Sequence, residues 1–265
     1  MIRLEDLFVV FNTGTPLERI ALRGVNFTAQ DGEIVTVIGN SGSGRSTLLK
    51  FLAGHINSSF GRLWVNKIDI TNQSLSERSK IFSSVFYDED IGTAGNLTVA
   101  ENLAIAYLHH QSKSIIDSAV SSEVREMFIE QLRDLDFMGM EELIDEKVSN
   151  ISKPHRQVLA LMIAVIKEAQ VLLIDEHSTG LDAEATTALL ETTEKIIKSK
   201  GMTTIMAVSD PKFALEMSDR TIVLNHGQVV WNLSGEEKNN IKFEDLFTSF
   251  SVASSTKDTK QTKLL

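Results

Sequence analysis

Short runs of aliphatic and β-branched residues alternate along the chain with longer segments whose apolar residues recur every three or four positions. The runs Ile34–Ile38, Val171–Asp175 and 203–208 have the length and composition of buried strands. Helices are predicted over 46–53, 156–167 and 183–198. Strands that alternate with helices are typical of an α/β domain with a largely parallel sheet.

Residues with special backbone preferences mark where these elements begin and end. Asp182 is the expected N-cap of the helix over 183–198, and Gly201 follows its end. Near the end of the chain, strands over 221–224 and 228–231 are separated by an Asn-His-Gly sequence. That sequence is typical of a tight turn, so the two strands are expected to form a hairpin.

The middle of the chain is helical in pattern from about residue 96 to residue 146. One face collects apolar residues at spacings of three and four, namely Val124, Met127, Phe128, Leu132 and Leu135. We therefore expect a helical subdomain over about 96–167 inside a single domain over 1–250. The polar segment 251–265 is expected to be a disordered tail.

The overall charge limits the class of partner. The 265 residues include 26 Lys and Arg against 36 Asp and Glu, which gives a net charge of -10. Because phosphate backbones attract clustered positive charge, nucleic acid is not expected as the main partner. The chain has no cysteine, so disulfides, Cys-ligated zinc and thiol chemistry are excluded.

The hydrophobic segments are too short to cross a membrane. The longest apolar run, 158–166, is far below the roughly 20 residues that span a bilayer. The first residues have the pattern of a strand and lack the features of a signal peptide. Any membrane role is therefore expected to depend on a partner subunit.

A glycine-rich loop separates the strand Ile34–Ile38 from the helix over 46–53. It has the spacing of a P-loop and consists of Gly39, Asn40, Ser41, Gly42, Ser43, Gly44, Arg45, Ser46 and Thr47. Small residues let consecutive backbone N–H groups curl around a phosphate, and the helix N-terminus behind them favours negative charge. The loop predicts nucleotide binding, with the Ser46 hydroxyl as a ligand to Mg²⁺.

Arg45 occupies the position where this loop ordinarily carries lysine. Arginine keeps the positive charge, but its planar, bulkier head group does not replace a compact ammonium at a tight site. We expect weaker nucleotide binding or slower turnover.

Two adjacent carboxylates end the apolar strand Val171–Asp175. Asp175 is its last residue and Glu176 follows it. Carboxyl ends of parallel strands are where open α/β sheets bind ligands. Asp175 is predicted to hold Mg²⁺ through water, and Glu176 to polarise the attacking water as the catalytic residue.

From residue 2 to about residue 250 the chain resembles the ATP-binding subunit of an ABC transporter, and in particular the ATPase subunits of tryptophan/tyrosine-type amino-acid uptake systems. The stretches that carry the finer resemblance are FNTGT at 11–15, GTAGNLTVAEN at 92–102, DEH at 175–177 and SGEE at 234–237. The resemblance implies a P-loop NTPase fold of ABC type, with a mostly parallel core sheet, an antiparallel β subdomain and a helical subdomain.

The same resemblance implies how nucleotide is bound. ATP with Mg²⁺ would be held between two subunits, where the P-loop of one faces the signature motif of the other. Phe11 stands where an aromatic residue of the family stacks on adenine. An ordinary packing role at a strand end remains the alternative for Phe11.

The signature motif departs from the family pattern LSGGQ. The aligned residues are Ile151, Ser152, Lys153, Pro154 and His155. Pro154 has no N–H, and Lys153 adds a side chain where the family has glycine, so the surface that faces phosphate is altered. Pro154 is nevertheless tolerable at the start of a helix, and Lys153 could itself donate charge to the phosphate.

Two further positions that sense phosphate in the family are also changed. Tyr87 stands at the position of the Q-loop glutamine, and it has no carbonyl oxygen to offer a metal. Ser209 stands at the position of the switch histidine and is too short to replace an imidazole. Together with Arg45 and the signature residues, these changes leave turnover in doubt.

Three functions remain open from the sequence. The first is an ABC-type ATPase that energises a small-solute transporter, from the cytoplasmic face of the membrane as a peripheral subunit. Its expected partners are a membrane permease, a second nucleotide-binding subunit in a homodimer or heterodimer, and a solute-binding protein. The second is the degenerate half of a heterodimer, and the third is an ABC ATPase not tied to transport. The substrate and the direction of transport are not determined.

Overall fold

The computed structural model describes residues 1–86, 92–110, 121–175 and 180–241. The chain divides into two compact units: unit 1 is Met1–Ser79 with Thr203–Leu265, and unit 2 is Lys80–Met202. The segment 251–265, for which we expect a polar tail, lies outside the described residues.

Unit 1 contains an antiparallel sheet in the order β2-β1-β4-β5. Its strands are β1 (Ile2–Phe11), β2 (Arg19–Ala29), β4 (Phe60–Val65) and β5 (Ile68–Asp69). Alternate residues of β1, such as Ile2 and Leu4, are buried, which is the pattern of a sheet with one face covered. This sheet confirms the expected antiparallel β subdomain.

A second group of strands in unit 1 is largely parallel, in the order β10-β9-β3-β8. The strands are β3 (Ile34–Ile38), β8 (Thr203–Ala207), β9 (Arg220–Asn225) and β10 (Gln228–Ser234). β3 runs parallel to β8 and to β9, and all five of its residues are buried. A strand buried on both faces explains why its sequence is a continuous apolar run.

The hairpin near the end of unit 1 is confirmed. β10 pairs antiparallel with β9, and His226 and Gly227 both have positive φ angles, 48° and 79°. Two central residues with positive φ match the right-handed twist of the strands that they join. The helices of unit 1 are α1 (Arg45–Ala53), α2 (Leu75–Arg78), α7 (Pro211–Met217) and α8 (Gly235–Asn240).

Unit 2 combines one parallel strand pair with helices. β6 (Phe82–Val85) pairs with β7 (Val171–Asp175), and the helices are α3 (Val99–His110), α4 (Ser122–Leu135), α5 (Lys153–Ile166) and α6 (Ala183–Lys200). On α4, Phe128 and Leu132 of the predicted apolar face are buried. The two short 3-10 helices are Met140–Leu143 and Val148–Asn150.

The helix ends follow the predicted capping residues, with small differences. The Asp182 carboxylate accepts a hydrogen bond from the Ala185 amide at 2.8 Å, and Gly201 ends α6 with φ 59°. The helix predicted over 156–167 begins earlier, at Lys153, because Pro154 is compatible with the first helical turn.

Candidate functional site

The glycine-rich loop connects β3 to α1 in a shape that excludes side chains at two positions. A Cβ on Gly39 would lie 2.2 Å from the Leu224 carbonyl oxygen, and one on Gly44 would lie 2.8 Å from the Ala21 carbonyl oxygen. Gly44, the N-cap of α1, has φ 107°. These positions therefore require glycine, and the loop backbone approaches its neighbours closely.

Backbone hydrogen bonds hold the loop in place. The Ser43 amide donates to the Asn40 carbonyl at 3.0 Å, and the Gly227 amide donates to the Ser43 carbonyl at 2.9 Å. The second bond joins the loop to the β9–β10 turn. A phosphate that enters the loop would therefore meet a preorganised backbone.

The Ser43 hydroxyl is a buried polar group whose hydrogen-bonding capacity is unsatisfied within the described residues. Ser43 is 3% exposed, and within the described residues its Oγ has no hydrogen-bond partner. Buried polar atoms are nearly always hydrogen-bonded in native structures. A ligand oxygen in the loop would satisfy the Ser43 hydroxyl, so the loop fits a phosphate group.

Arg45 extends across unit 1 to the end of β8. Its Nη1 donates a hydrogen bond to the Val208 carbonyl oxygen at 2.8 Å, although the two residues are 163 positions apart. Val208 is buried and precedes the exposed Ser209. The guanidinium group thus contacts the segment where the expected switch position lies, a contact that no sequence signal indicated.

The other end of α1 is anchored by Arg78, which sequence reasoning missed. Arg78 is 1% exposed, and its guanidinium donates to the carbonyl oxygens of Phe51, Leu52 and Thr71. A cation beside the last carbonyls of a helix complements the helix dipole. Burial lowers the pKa of Arg78 to about 10, so the group is charged at neutral pH.

Ser46 and Thr47 lie in the first turn of α1 and are half-buried. Within the described residues there is no group of three or more His, Cys, Asp or Glu that could hold a metal ion. Magnesium commonly takes only one or two protein ligands and completes its shell with water and phosphate oxygens. Ser46 therefore fits a metal that arrives with a nucleotide.

Phe11 is the last residue of β1 and is half-buried. It lies opposite Arg19 on β2, and the Arg19 guanidinium carbon is 5.7 Å from the ring centroid. This distance permits a cation–π interaction. The assignment of Phe11 to adenine stacking stays a prediction.

In unit 2, Asp175 ends β7 and is 4% exposed. This is the predicted location at the carboxyl end of a buried parallel strand. Its neighbour Glu176, the predicted catalytic residue, and Tyr87 both lie outside the described residues. Their assignments stay predictions.

The signature-like residues form the N-terminus of α5. Ser152 is the N-cap, Lys153 is the first helical residue and Pro154 the second. The Lys153 ammonium nitrogen is 3.3 Å from the point that a Cβ on Gly180 would occupy. The lysine ammonium therefore lies close to Gly180, which is three positions before the first residue of α6.

His155 is buried within unit 2, and each of its two ring nitrogens forms a hydrogen bond. Its Nδ1 is 2.6 Å from the Ser152 hydroxyl, and its Nε2 is 3.1 Å from the Met138 carbonyl oxygen. The ring packs edge-on against Phe137 at 5.6 Å between centroids. Ser152 and His155 are three positions apart at the start of one helix, and this spacing could have predicted their contact. The comparison with the signature motif did not indicate it.

Comparison with known proteins identifies the family. The family model described as "ABC transporter" matches residues 22–179. The chain belongs to the ABC transporter family. The tyrosine transport ATP-binding protein of Clostridioides difficile (strain R20291) is 31% identical over 253 residues, which cover 96% of this chain and 100% of that protein.

Two further comparisons agree on the ABC cassette. The phosphonates import ATP-binding protein of Escherichia coli O6:K15:H31 (strain 536 / UPEC) is 27% identical and covers 94% of this chain and 95% of that protein. A dimeric ATP-binding cassette, solved in a post-hydrolysis state bound to ADP and Pi, has a TM-score of 0.72 at 23% identity over 88% of this chain and 98% of that one. The expected ABC-type P-loop NTPase fold is confirmed.

The ABC family accounts for the ATP-binding character of the chain. Members of this family are generally ATP hydrolases, and their ATP is typically bound with Mg²⁺. Within the described residues, none of the helices has both the length and the apolar character to cross a bilayer.

Proposed function

We propose that this chain is the ATP-binding subunit of an ABC importer for a small solute, with amino acids as the substrate class, and that its turnover is impaired. The observation that carries the ATP-binding part is the phosphate loop, in which Gly39 and Gly44 have no room for side chains and the buried Ser43 hydroxyl lacks a partner.

Each residue of the loop has a defined task in this proposal. The backbone N–H groups of the loop, except that of Ser43 which donates to the Asn40 carbonyl, bind the phosphates together with the N-terminus of α1, and the Ser43 hydroxyl donates to one phosphate oxygen. Ser46 would hold the magnesium ion, which neutralises phosphate charge when bound. Phe11 stacks on the adenine. Asp175 and Glu176 keep the proposed roles of metal ligand through water and of general base.

The impaired turnover is supported by where Arg45 is held. Its guanidinium donates to the Val208 carbonyl, and a phosphate must compete with this carbonyl for the same donor. Ser209, next to Val208, carries no imidazole. We therefore attribute slow turnover to Arg45, the main cation of the proposed phosphate site, because its guanidinium is hydrogen-bonded to the Val208 carbonyl.

The substrate class and the partners are supported by the relatives. One relative that spans nearly the whole chain is named for tyrosine transport, and another for phosphonates import. We accordingly propose a separate membrane permease, a second nucleotide-binding subunit and a solute-binding protein as partners. The chain would act at the cytoplasmic face of the membrane as a peripheral subunit.

Co-purification with the proteins encoded beside it tests the transport role. We expect a membrane permease in the complex and ATP turnover that is abolished by Glu176→Gln. An added amino acid with its solute-binding protein should raise turnover of the reconstituted complex. Failure to retain any membrane subunit would contradict the importer and favour an ABC ATPase not tied to transport.

A second candidate is a catalytically degenerate partner in a heterodimer. The observation that favours it is the N-terminus of α5, where Pro154 supplies no N–H and the Ser152 hydroxyl is bonded to His155. In this case the purified chain would bind ATP with no turnover, and Glu176→Gln would change nothing. Turnover would then appear only with a different cassette.

A further inference from the structure

The first turn of α5 contains a chain of two hydrogen bonds that runs from the surface into unit 2. Ser152 is exposed, whereas His155 is 9% exposed. The Ser152 Oγ lies 2.6 Å from His155 Nδ1, and His155 Nε2 lies 3.1 Å from the Met138 carbonyl oxygen. The imidazole therefore bridges an exposed hydroxyl and an internal backbone carbonyl.

The direction of these hydrogen bonds follows from the last acceptor. A backbone carbonyl oxygen can only accept, so His155 Nε2 must carry the proton. In the neutral ring Nδ1 is then an acceptor, and the Ser152 hydroxyl must donate to it. A serine has one hydroxyl proton, and in this arrangement that proton points toward His155.

We propose that His155 is a positioning residue that directs the Ser152 hydroxyl proton into unit 2, so that Ser152 presents oxygen lone pairs instead of a donor at the N-terminus of α5. The functional part rests on the proposed function and on the subunit arrangement that the family resemblance implies, in which this helix end faces the nucleotide of another cassette. A triphosphate only accepts hydrogen bonds at this point, so an inward-facing proton removes one favourable contact.

Residues that contact the His155 ring stabilise its orientation between Ser152 and Met138. Phe137 packs edge-on against the imidazole, and Met138, whose φ is 47°, places its carbonyl oxygen 3.1 Å from Nε2. Pro154, the second residue of the helix, has no N–H. Ser152 and Pro154, which flank Lys153, thus withhold donors from a phosphate for two different physical reasons.

The substitution His155→Gln separates the effects of the two hydrogen bonds that the ring forms. A glutamine amide reaches about as far as Nε2, so it can still donate to the Met138 carbonyl, but it offers nothing at the Nδ1 position. His155→Gln should therefore release the Ser152 proton. Ser149→Ala is the matched control, because Ser149 is also exposed and its hydroxyl bonds only Asn150 within the described residues.

The first experiment measures the tautomer of His155 by ¹⁵N NMR of the full chain labelled at histidine. We expect the proton on Nε2, and a change in the Nδ1 chemical shift in Ser152→Ala but not in Ser149→Ala. A proton on Nδ1, or an Nδ1 chemical shift that is the same in wild type and in Ser152→Ala, would overturn the proposal. This measurement needs no nucleotide, and Ser152→Ala alters only an exposed side chain.

The second experiment is a double-mutant cycle on ATP-dependent association of the full chain with its cassette partner, followed by sedimentation. Hydrogen bonds to charged groups are worth about tenfold or more in affinity, so Ser152→Ala should weaken association about tenfold in the His155→Gln background. In the wild-type background it should change association less than about twofold. An equal effect of Ser152→Ala in both backgrounds would contradict the proposal.

The outcomes also distinguish this inference from the proposed function. Equilibrium dialysis of each variant with ATP reports whether the phosphate loop binds nucleotide at all. Absence of ATP binding in every variant would contradict the proposed function, and the tautomer measurement would still decide the role of His155. Thermal unfolding of each variant shows whether an effect on association reflects a loss of fold.

Discussion

Arg45, at the start of the phosphate-loop helix, donates a hydrogen bond to the carbonyl oxygen of Val208 at the end of β8. The two residues come from segments that are distant in sequence, and both belong to unit 1. This bond links the start of α1 to the residue that follows β8. In the proposed function, a phosphate in the loop would share the Arg45 cation with this backbone carbonyl.

Arg45→Lys should strengthen ATP binding. Lysine offers a compact ammonium that does not reproduce the Nη1 hydrogen bond to the Val208 carbonyl, so its charge becomes available to phosphate. We expect an increase in ATP affinity or in the rate of turnover of about fivefold to tenfold, measured by dialysis and by phosphate release. Arg62→Lys, on an exposed face of β4, is the control. Unchanged affinity and rate would disprove the role assigned to Arg45.

Ser43→Ala should separate stability from ligand binding. The Ser43 hydroxyl is buried without a partner in the described structure, so its removal should leave the nucleotide-free protein equally stable or more stable by about 1 kcal/mol. The same change should reduce the thermal stabilisation by ATP and Mg²⁺, because a donor to phosphate is lost. Thermal unfolding with and without ATP measures both effects. Ser41→Ala, at an exposed position, is the comparison; an equal loss of ATP stabilisation there would argue against a special role for Ser43.

Gly39→Ala should destabilise the fold more than Gly42→Ala. A Cβ on Gly39 would lie 2.2 Å from the Leu224 carbonyl, whereas one on Gly42 would have no heavy atom within 4 Å. Gly42→Ala therefore meets only the backbone strain of φ 76°, about 1–2 kcal/mol. For Gly39→Ala we expect about 3 kcal/mol or more, since backbone must move. Urea unfolding of both variants checks the order, and the reverse order would show that the loop is shaped differently.

Arg78→Lys should loosen the far end of the phosphate-loop helix. A single ammonium keeps the charge but cannot reach the carbonyl oxygens of Phe51, Leu52 and Thr71 as the guanidinium does. The expected loss in the free energy of unfolding is about 2–3 kcal/mol, because buried carbonyls are left without donors. Arg62→Lys should change stability by less than about 0.5 kcal/mol. Similar values for the two variants would mean that Arg78 does not anchor α1.

Much of the fold was predictable because its signals are local. Ile34–Ile38 and Val171–Asp175 are strands with the predicted bounds, since an apolar run of five residues between turn residues has few other structures. The ends of α6 were indicated by Asp182 and Gly201, whose preferences depend on neighbours within one helical turn. The phosphate loop was recognisable for the same reason.

The arrangement within the candidate site was not predictable in this way. The bond from Arg45 to Val208, the burial of Arg78 against α1 and the contact of His155 with Met138 all join segments that lie apart in the chain. Residue type determines whether a side chain can donate or accept a hydrogen bond. It does not determine which group of the folded chain becomes the partner. The signature comparison predicted an altered α5 N-terminus at Lys153 and Pro154, and it did not predict that His155 engages Ser152.

The sequence by itself determined the family, the bounds of several strands and helices, and the glycine-rich loop proposed to bind phosphate, because these depend on residue type and short spacing. Tertiary structure decided which groups Arg45 of that loop and Ser152 at the α5 N-terminus contact. The physical reason is that a hydrogen bond depends on the position of both partners, and packing of the chain sets the position of the second. Arg45 and Ser152 are both polar groups suited to phosphate, and in the folded chain Arg45 donates to the Val208 carbonyl and Ser152 is hydrogen-bonded to His155.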